Sequence, residues 1–302
     1  MADRPRFGPA GVPLAFRELN RPIFEFPKYL RDEGLDAFEY QAVRWGTKPQ
    51  MNKEIAEKLG AKAREHDVWL TVHSSYFVNF CGKIGTIEAS KNRLIACATA
   101  ANWMDAHLVV FHPGFYVNRS PKEAMELCVK AISDVVESMK TLGIAKVKLG
   151  PETAGRSSRL GSLDEVLTLC ERVDSTEPVV DWAHIHAREG GKLKTVDDFQ
   201  KIVDIIEKRL GTDAIRNLHC HFTHIEFTEK GEKRHHILDE GYGPDFQCLA
   251  TVIAELGLKP VIISESPILD VDALRMQNIF CLLYTSDAAD EGLGVDLGGR
   301  RI

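Results

Sequence analysis

Five of the eleven histidines in this 302-residue chain, His219, His221, His224, His235 and His236, fall within residues 218–243, LHCHFTHIEFTEKGEKRHHILDEGYG. Imidazole is the commonest metal ligand and titrates near neutrality, so such a cluster beside carboxylates points first to a metal site. Taken alone, the stretch is equally a solvated polar loop, because histidines adjacent or two apart carry no fixed coordination spacing. A pattern across the rest of the chain decides between the two. His73 ends WLTVH, His112 ends HLVVFH, Glu152 follows KVKLG, Asp181 ends PVVD with His184 three residues on, His221 ends NLHCH, and Glu265 ends VIISE. One such residue is ordinarily a core histidine or a helix cap. Six in series, each closing a short apolar run, make a metal centre the better reading.

The donor types narrow the chemistry. Neutral imidazole and carboxylate suit zinc, with manganese or iron as alternatives, and the absence of placed cysteine pairs argues against a closed structural zinc. Mixed ligation that leaves positions for water is the catalytic pattern, since bound water ionises near neutral pH. There are more donors than one ion can use, and Glu152 can bridge, which implies a multinuclear centre. Two metals several ångströms apart suit an in-line phosphoryl displacement.

Residues scattered over two hundred positions meet only if the fold brings strand ends together. Strand-like runs (37–40, 69–73, 107–112, 147–150, 178–181, 217–221, 260–265) alternate with segments of helical period, the signature of βαβ units and a parallel sheet. The best signalled helix starts at Ser120, with Pro121 at the first helical position, Glu123 completing a capping box, and an apolar stripe from Ala124 to Met139. Counting the opening segment RFGPAGVPLAF, about eight strand–helix units fit residues 1–280. The expected fold is therefore α/β, a single (β/α)₈ TIM barrel with the metal site at the C-terminal ends of its strands; a doubly wound open sheet is the alternative. No G-x-G-x-x-G follows the first strand and no Walker-type lysine loop occurs, which removes the usual grounds for a nucleotide-binding sheet.

Residues 281–302 stand apart. From Cys281 the helical period is lost, and CLLYTSDAADE resembles the in-frame translation of a sequencing-library adapter. These residues are read as a non-native segment, the alternative being a disordered Gly- and Asp-rich tail, with the eighth helix ending near Phe280.

Composition excludes several classes. With 44% hydrophobic and 27% charged residues the chain buries a large core, and it has neither a signal pattern nor a run approaching eighteen apolar residues, so a cytoplasmic protein with no membrane partner is expected. Seven cysteines without a C-x-x-C pair fit reduced thiols. The net charge of −6 argues against a protein that simply coats nucleic acid, though bound divalent ions would offset it where a phosphate sits.

Seven short motifs, RFGPAG, VHSSY, FHPG, PETAG, VVDWAH, RHH and SESP, occur in order and at barrel spacing from Arg6 to Met276. Together they resemble the endonuclease IV family of apurinic/apyrimidinic endonucleases, which share the xylose isomerase-like TIM barrel. The resemblance implies a monomeric DNA repair enzyme acting on double-stranded DNA with abasic sites. It would cut the phosphodiester 5′ to the site, leave a 3′ hydroxyl, and use three zinc ions. Carried over by position, His73 and His112 bind one zinc, and Glu152 bridges it to a second held by Asp181, His221 and Glu265. His184 and His235 hold the third, and Tyr76 is a candidate DNA contact. Where the family has an aspartate two residues before the histidine, this chain has Lys233; the neighbouring Glu232 is the candidate substitute after a one-residue shift. His186, His219, His224 and His236 have no ligand counterpart and are expected to hydrogen-bond behind the ligands or to lie at the surface. The competing reading is a single-metal sugar isomerase or epimerase of the xylose isomerase-like group, for which Glu152, Asp181, His221 and Glu265 would suffice.

Overall fold

The structure, a computed structural model, describes residues 4–293, with side chains as far as residue 283. Among the described residues eight short parallel strands form the centre: β1 (Arg6–Pro9), β2 (Ala37–Gln41), β3 (Trp69–His73), β4 (Leu108–Phe111), β5 (Lys148–Pro151), β6 (Val179–Asp181), β7 (His219–Phe222) and β8 (Val261–Ser264). They pair as two arcs, β1–β8–β7–β6 and β2–β3–β4–β5. Isolated parallel bridges, Ala10 with Glu39 and Glu152 with Val179, join the arcs at both seams. The sheet therefore closes on itself, and the fold is the expected (β/α)₈ barrel.

Alternation along each strand sorts the side chains. Phe38, Val72, Phe111, Leu149, Phe222 and Ile262 point outward into the main core beneath the helices. The inward set begins apolar, with Ala37 against Val261 and Ile263, and Leu108 and Val110 against Val179. One or two steps towards the strand ends it turns polar: Glu39, Thr71, His73, His219 and His221 are all buried. Because a strand has a period of two, the residue that closes each run sits on the same inward face as the apolar residues below it.

The outer layer is α1 (Phe26–Asp32), α2 (Lys53–Glu65), α3 (Ile84–Trp103), α4 (Pro121–Thr141), α5 (Leu163–Arg172), α6 (Val196–Leu210), α7 (Phe246–Glu255) and α8 (Asp270–Leu293). The capping box at Ser120 forms as expected: the serine hydroxyl accepts from the Glu123 N–H at 3.3 Å, and the Glu123 carboxylate accepts from the Ser120 N–H at 2.9 Å. Ser162 and Glu165 repeat it on α5. Such a cap contributes about 1 kcal/mol and fixes where the chain leaves the strand-end face.

Three features depart from the sequence reading. The histidine-rich stretch holds an antiparallel hairpin, His224–Thr228 paired with Gly231–His236, where a plain loop was expected between His221 and His235. A short helix, Trp182–Arg188, starts directly on Asp181 and carries His184 and His186. Finally, α8 does not stop near Phe280: Ile279, Phe280 and Leu283 pack against the core, and the backbone stays helical to Leu293. Residues 281–291 contain neither Gly nor Pro, so no helix breaker stops the backbone there. The remainder of the 281–302 tail, residues 294–302, lies outside the described residues. Among the described residues, no helix is long and apolar enough to cross a membrane.

The β1–β2 seam depends on a missing side chain. A Cβ on Gly8 would lie 1.7 Å from the carbonyl oxygen of Ala37, so only glycine lets the two strands approach where the barrel closes. Gly8→Ala should lower unfolding stability by roughly 3 kcal/mol, read by urea denaturation, because rigid backbone rather than a flexible side chain must move. Unchanged stability would mean that the strands are not packed so closely there.

Candidate metal centre

The strand ends converge as the alternation requires. His73 is the last residue of β3, His112 directly follows β4, Glu152 directly follows β5, Asp181 ends β6, His221 lies on β7, and Glu265 directly follows β8. Glu152 is the hub and is fully buried. One of its oxygens, Oε2, lies 3.3 Å from His73 Nε2 and 3.4 Å from His112 Nδ1. The other, Oε1, lies 3.0 Å from His221 Nδ1 and 3.5 Å from His184 Nδ1. The carboxylate thus faces the ring nitrogens of two histidines with each oxygen.

Among the described residues five groups of donor atoms are close enough to hold an ion. Three match the sequence reading: His73, His112 and Glu152; Glu152, Asp181, His221 and Glu265; and His184, His235 and Glu265. The other two contain Glu39, with His219 and His221 or with His73 and Glu265. Side chains and backbone turn the rings. The Nδ1 atoms of His73, His184 and His235 approach the carbonyl oxygens of Ser74 (2.9 Å), Thr153 (2.9 Å) and Glu265 (3.2 Å). With Nδ1–H donating to a carbonyl, each ring keeps the Nε2 lone pair for a metal. The Asp181 carboxylate also caps the helix Trp182–Arg188, accepting the His184 N–H at 2.8 Å, which ties the third group to the second.

Glu232 stands beside the third group. Its Oε2 is 3.6 Å from His184 Nε2. The residue reaches that position through the hairpin's irregularity: Glu226 pairs with Arg234 but Phe227 pairs with Glu232, leaving Lys233 as the extra residue of a bulge. On a regular strand residues three apart face opposite ways, and one inserted residue brings Glu232 and His235 back to the same side. Lys233 instead reaches across to Glu226.

The donors fit cations on a direct observation. His112 Nδ1, Asp181 Oδ2 and Glu232 Oε2 are buried without a hydrogen-bond partner. Buried lone pairs left unpaired are costly, and divalent ions in the separate groups would satisfy them.

Beneath the centre sits Glu39, on β2, fully buried. It accepts hydrogen bonds from Thr71 Oγ1 (3.1 Å), His219 Nε2 (3.0 Å) and His221 Nε2 (3.2 Å). A carboxylate only accepts, and both His221 nitrogens face carboxylates, so in the metal-free protein both carry protons; the Nε2–H held by Glu39 leaves Nδ1, beside Glu152 and Glu265, as the nitrogen a metal would take. His219 therefore works one layer below the centre. His224 and His236 brace the hairpin's far side, through the Glu240 carbonyl oxygen and carboxylate respectively, and His236 stacks on Tyr242 with ring centroids 3.9 Å apart. His186 packs edge-on against Phe227.

A cavity of about 320 Å³ opens above these groups, lined by Tyr76, His112, His184, Glu232, His235 and Glu265 among others. Tyr76 is 57% exposed, its ring 5.5 Å from that of His73, so it forms the rim of the pocket rather than part of the core.

Residues 27–278 match the xylose isomerase-like TIM barrel family. The chain belongs to that family. An uncharacterized protein of Methanocaldococcus jannaschii is 30% identical over 275 residues, 91% of this chain and 96% of its own length. A probable endonuclease 4 of Oceanobacillus iheyensis is 24% identical over 181 residues, 57% of this chain and 58% of the other. Among solved structures, endonuclease IV from Thermus thermophilus superposes with a TM-score of 0.65 at 18% identity, over 86% of this chain and 94% of that one. An L-ribulose 3-epimerase gives 0.65 at 12% identity, over 98% and 100%. At these identities the structural likeness establishes the fold, which a DNA-cutting enzyme and a sugar epimerase both use.

Every residue proposed from the sequence as a ligand lies at the mouth of this family barrel. The one that sequence reasoning missed is Glu39. It interrupts AFEYQ in mid-strand, whereas the strand-end pattern picks out only residues that close a run. The signal for it is the pair His219 and His221: both face inward, and the lower of the two needs an acceptor at its own level from another strand.

Charge coupling makes the centre sensitive to pH. Burial alone would lower the histidines, but the hydrogen bond and charge of Glu152, with Glu39 and Glu265, push His73 up to about 9. Asp181, Glu152, Glu232 and Glu265 likewise outweigh burial at His184 and push it up to about 9. Burial dominates at His112 and takes it down to about 3. In the metal-free protein, protons on His73 and His184 stabilise the fold fully below their ordinary value of 6.5, and that contribution is lost as pH rises through about 9. Metal binding must displace the same protons. Apparent metal affinity should therefore rise roughly tenfold per pH unit for each proton displaced between pH 6.5 and 9, and the Tm gap between loaded and chelator-stripped protein should widen over that interval. A gap independent of pH would show that these histidines do not bind the metal. Separately, Glu39→Gln should weaken metal binding by roughly 10–100-fold in a chelator competition while the circular dichroism spectrum is retained. Unchanged affinity would remove Glu39 from any role in orienting His221.

Proposed function

We propose that this chain is a DNA repair endonuclease of the endonuclease IV type, hydrolysing the phosphodiester 5′ to an abasic site in double-stranded DNA and leaving a 3′ hydroxyl. The observation that carries this reading is the number of donor groups at one mouth. Glu152, Asp181, His221 and Glu265 already make a complete set for one ion; His73 with His112, and His184 with His235 and Glu232, add two more. A single-metal reaction has no use for the additional five residues.

In this reading the nitrogen and oxygen donors suit zinc, with manganese or iron able to occupy the same sites. Bound there, the ions would activate water and neutralise charge on the attacked phosphate and the departing oxygen. The residues divide the rest of the task. Glu152 spaces two of the groups through its two oxygens, and Glu39 holds His221 in the tautomer that presents Nδ1. Glu232 takes the place of the family's aspartate in the third group. Tyr76, exposed at the rim beside His73, is placed to meet the DNA where the base is missing.

One observation favours a second reading: the four-donor group is complete by itself, which is what a sugar isomerase or epimerase of this family would need. A single experiment separates them. Metal-restored protein is incubated with a duplex carrying one tetrahydrofuran abasic analogue, and metal content is measured in parallel. Nicking on the 5′ side with a polymerase-extendable 3′ end, at about three ions per chain, is expected. Glu152→Gln should abolish nicking, Glu232→Ala should lose one ion per chain, and Lys233→Ala should keep all of them. An intact duplex with about one ion per chain, together with turnover of a ketose, would replace this reading with the epimerase.

A further inference from the structure

One cation at the mouth has no assigned task. Arg159 lines the same cavity as His112, His184, Glu232, His235 and Glu265, and among the described residues it is the one lysine or arginine that does. Its backbone is held firmly. It lies on the two-residue strand Arg159–Leu160, opposite Phe115 of the strand Gly114–Phe115, and its carbonyl oxygen accepts from Arg188 Nη1 at 3.1 Å. Its guanidinium carbon sits 4.7 Å from the centroid of the Phe115 ring. The Nε atom is buried and makes no hydrogen bond. The guanidinium acts on Glu232 through charge: burial alone would raise that carboxyl, and His184 and Arg159 together hold it below its usual range.

Such a guanidinium is out of place in a site built only to hold cations. With divalent ions on the three groups, the carboxylates Glu152, Asp181, Glu232 and Glu265 are already outweighed, and Arg159 adds a further positive charge to the same cavity. That addition opposes metal binding, and a neutral sugar would use only its N–H donors and not its charge. It is explained by an anion that enters beside the metals. The planar fork matches two oxygens of a phosphate, and the Phe115 face holds the fork in orientation without consuming its N–H donors.

We propose that Arg159 is a substrate-binding residue that donates to the non-bridging oxygens of a phosphate seated beside the metal centre, and that it selects phosphate-bearing substrates over neutral ones. The proposal rests on the endonuclease reading for its commitment to a DNA phosphodiester; the recognition chemistry itself is that of phosphate. The residue is invisible to a search for metal ligands, since it occupies neither a strand end nor a histidine cluster.

The test uses metal-loaded full chain, with metal content verified for each variant. Inorganic phosphate binding is measured by calorimetry on wild type, Arg159→Gln and Arg159→Lys, and the tetrahydrofuran duplex and ribulose 5-phosphate are assayed beside it. Arg159→Gln should weaken phosphate binding roughly 10–100-fold with metal content unchanged, and Arg159→Lys should recover part of it. On the duplex, Arg159→Gln should raise KM by a similar factor and reduce kcat less. Equal phosphate binding by wild type and Arg159→Gln would overturn the proposal. So would loss of metal from the variant, since removing a positive charge cannot weaken cation binding unless the residue is structural. If phosphate binding depends on Arg159 but the duplex is not cut, the anion site stands and the nuclease reading falls, with turnover of ribulose 5-phosphate then identifying the source of the phosphate.

Discussion

Neutralisation of buried charge governs this barrel. Five histidines and five carboxylates, Glu39 and Glu232 among them, meet at the ends of the strands, and most are buried. Taking a carboxylate out of water costs several kcal/mol unless it is paired and hydrogen-bonded. The protein has two ways to meet that cost. Protons on the imidazoles provide one, and His73 and His184 hold theirs well above neutrality for this reason. Divalent cations provide the other and compete for the same lone pairs. Folding, metal uptake and pH response are therefore linked in one set of residues.

Most of this was legible in the sequence because two periods carried it. The helical period with its serine caps marked α4 and α5 within a residue or two. The strand period did more: once WLTVH or VIISE is read as a strand, the side chain that closes it must lie on the inward face, and a closed parallel barrel brings those faces together. The expected ligand positions met for that reason. What escaped detection broke a period. Glu39 sits one inward step below the end of its strand, where a carboxylate is unexpected unless its partner His219 is already placed. The hairpin of residues 224–236 has only Ile225 and Phe227 on its buried face, two apolar residues among charged and polar neighbours, so it read as loop. The loss of apolar period after Phe280 is likewise no signal of a helix end, because no Gly or Pro breaks the backbone before Gly292.

Fold and family leave the reaction open, since a nuclease and an epimerase superpose on this chain about equally well. The four donors Glu152, Asp181, His221 and Glu265 serve either chemistry. What separates them lies around that set, in elements added to the barrel's rim: the helix begun by Asp181, the hairpin carrying Glu232 and His235, and the small strand pair carrying Phe115 and Arg159. Specificity in this architecture belongs to the connections, which vary without disturbing the barrel's closure.

The third group shows how far such a connection can be rebuilt. Glu232 and His235 are three residues apart, and on a regular strand that spacing would turn the carboxylate away from the histidine. The bulge at Lys233 absorbs the extra residue and restores the facing, while glutamate's additional methylene lengthens the reach to His184. The repair alters the character of the site. His73, Glu152 and His221 are fixed by barrel strands and almost wholly buried, whereas the side chains of Glu232 and His235 are 17% and 26% exposed on a hairpin attached through few strand partners. An element of that kind opens more readily than the barrel beneath it. An ion taken up there would exchange faster than one held on the barrel strands.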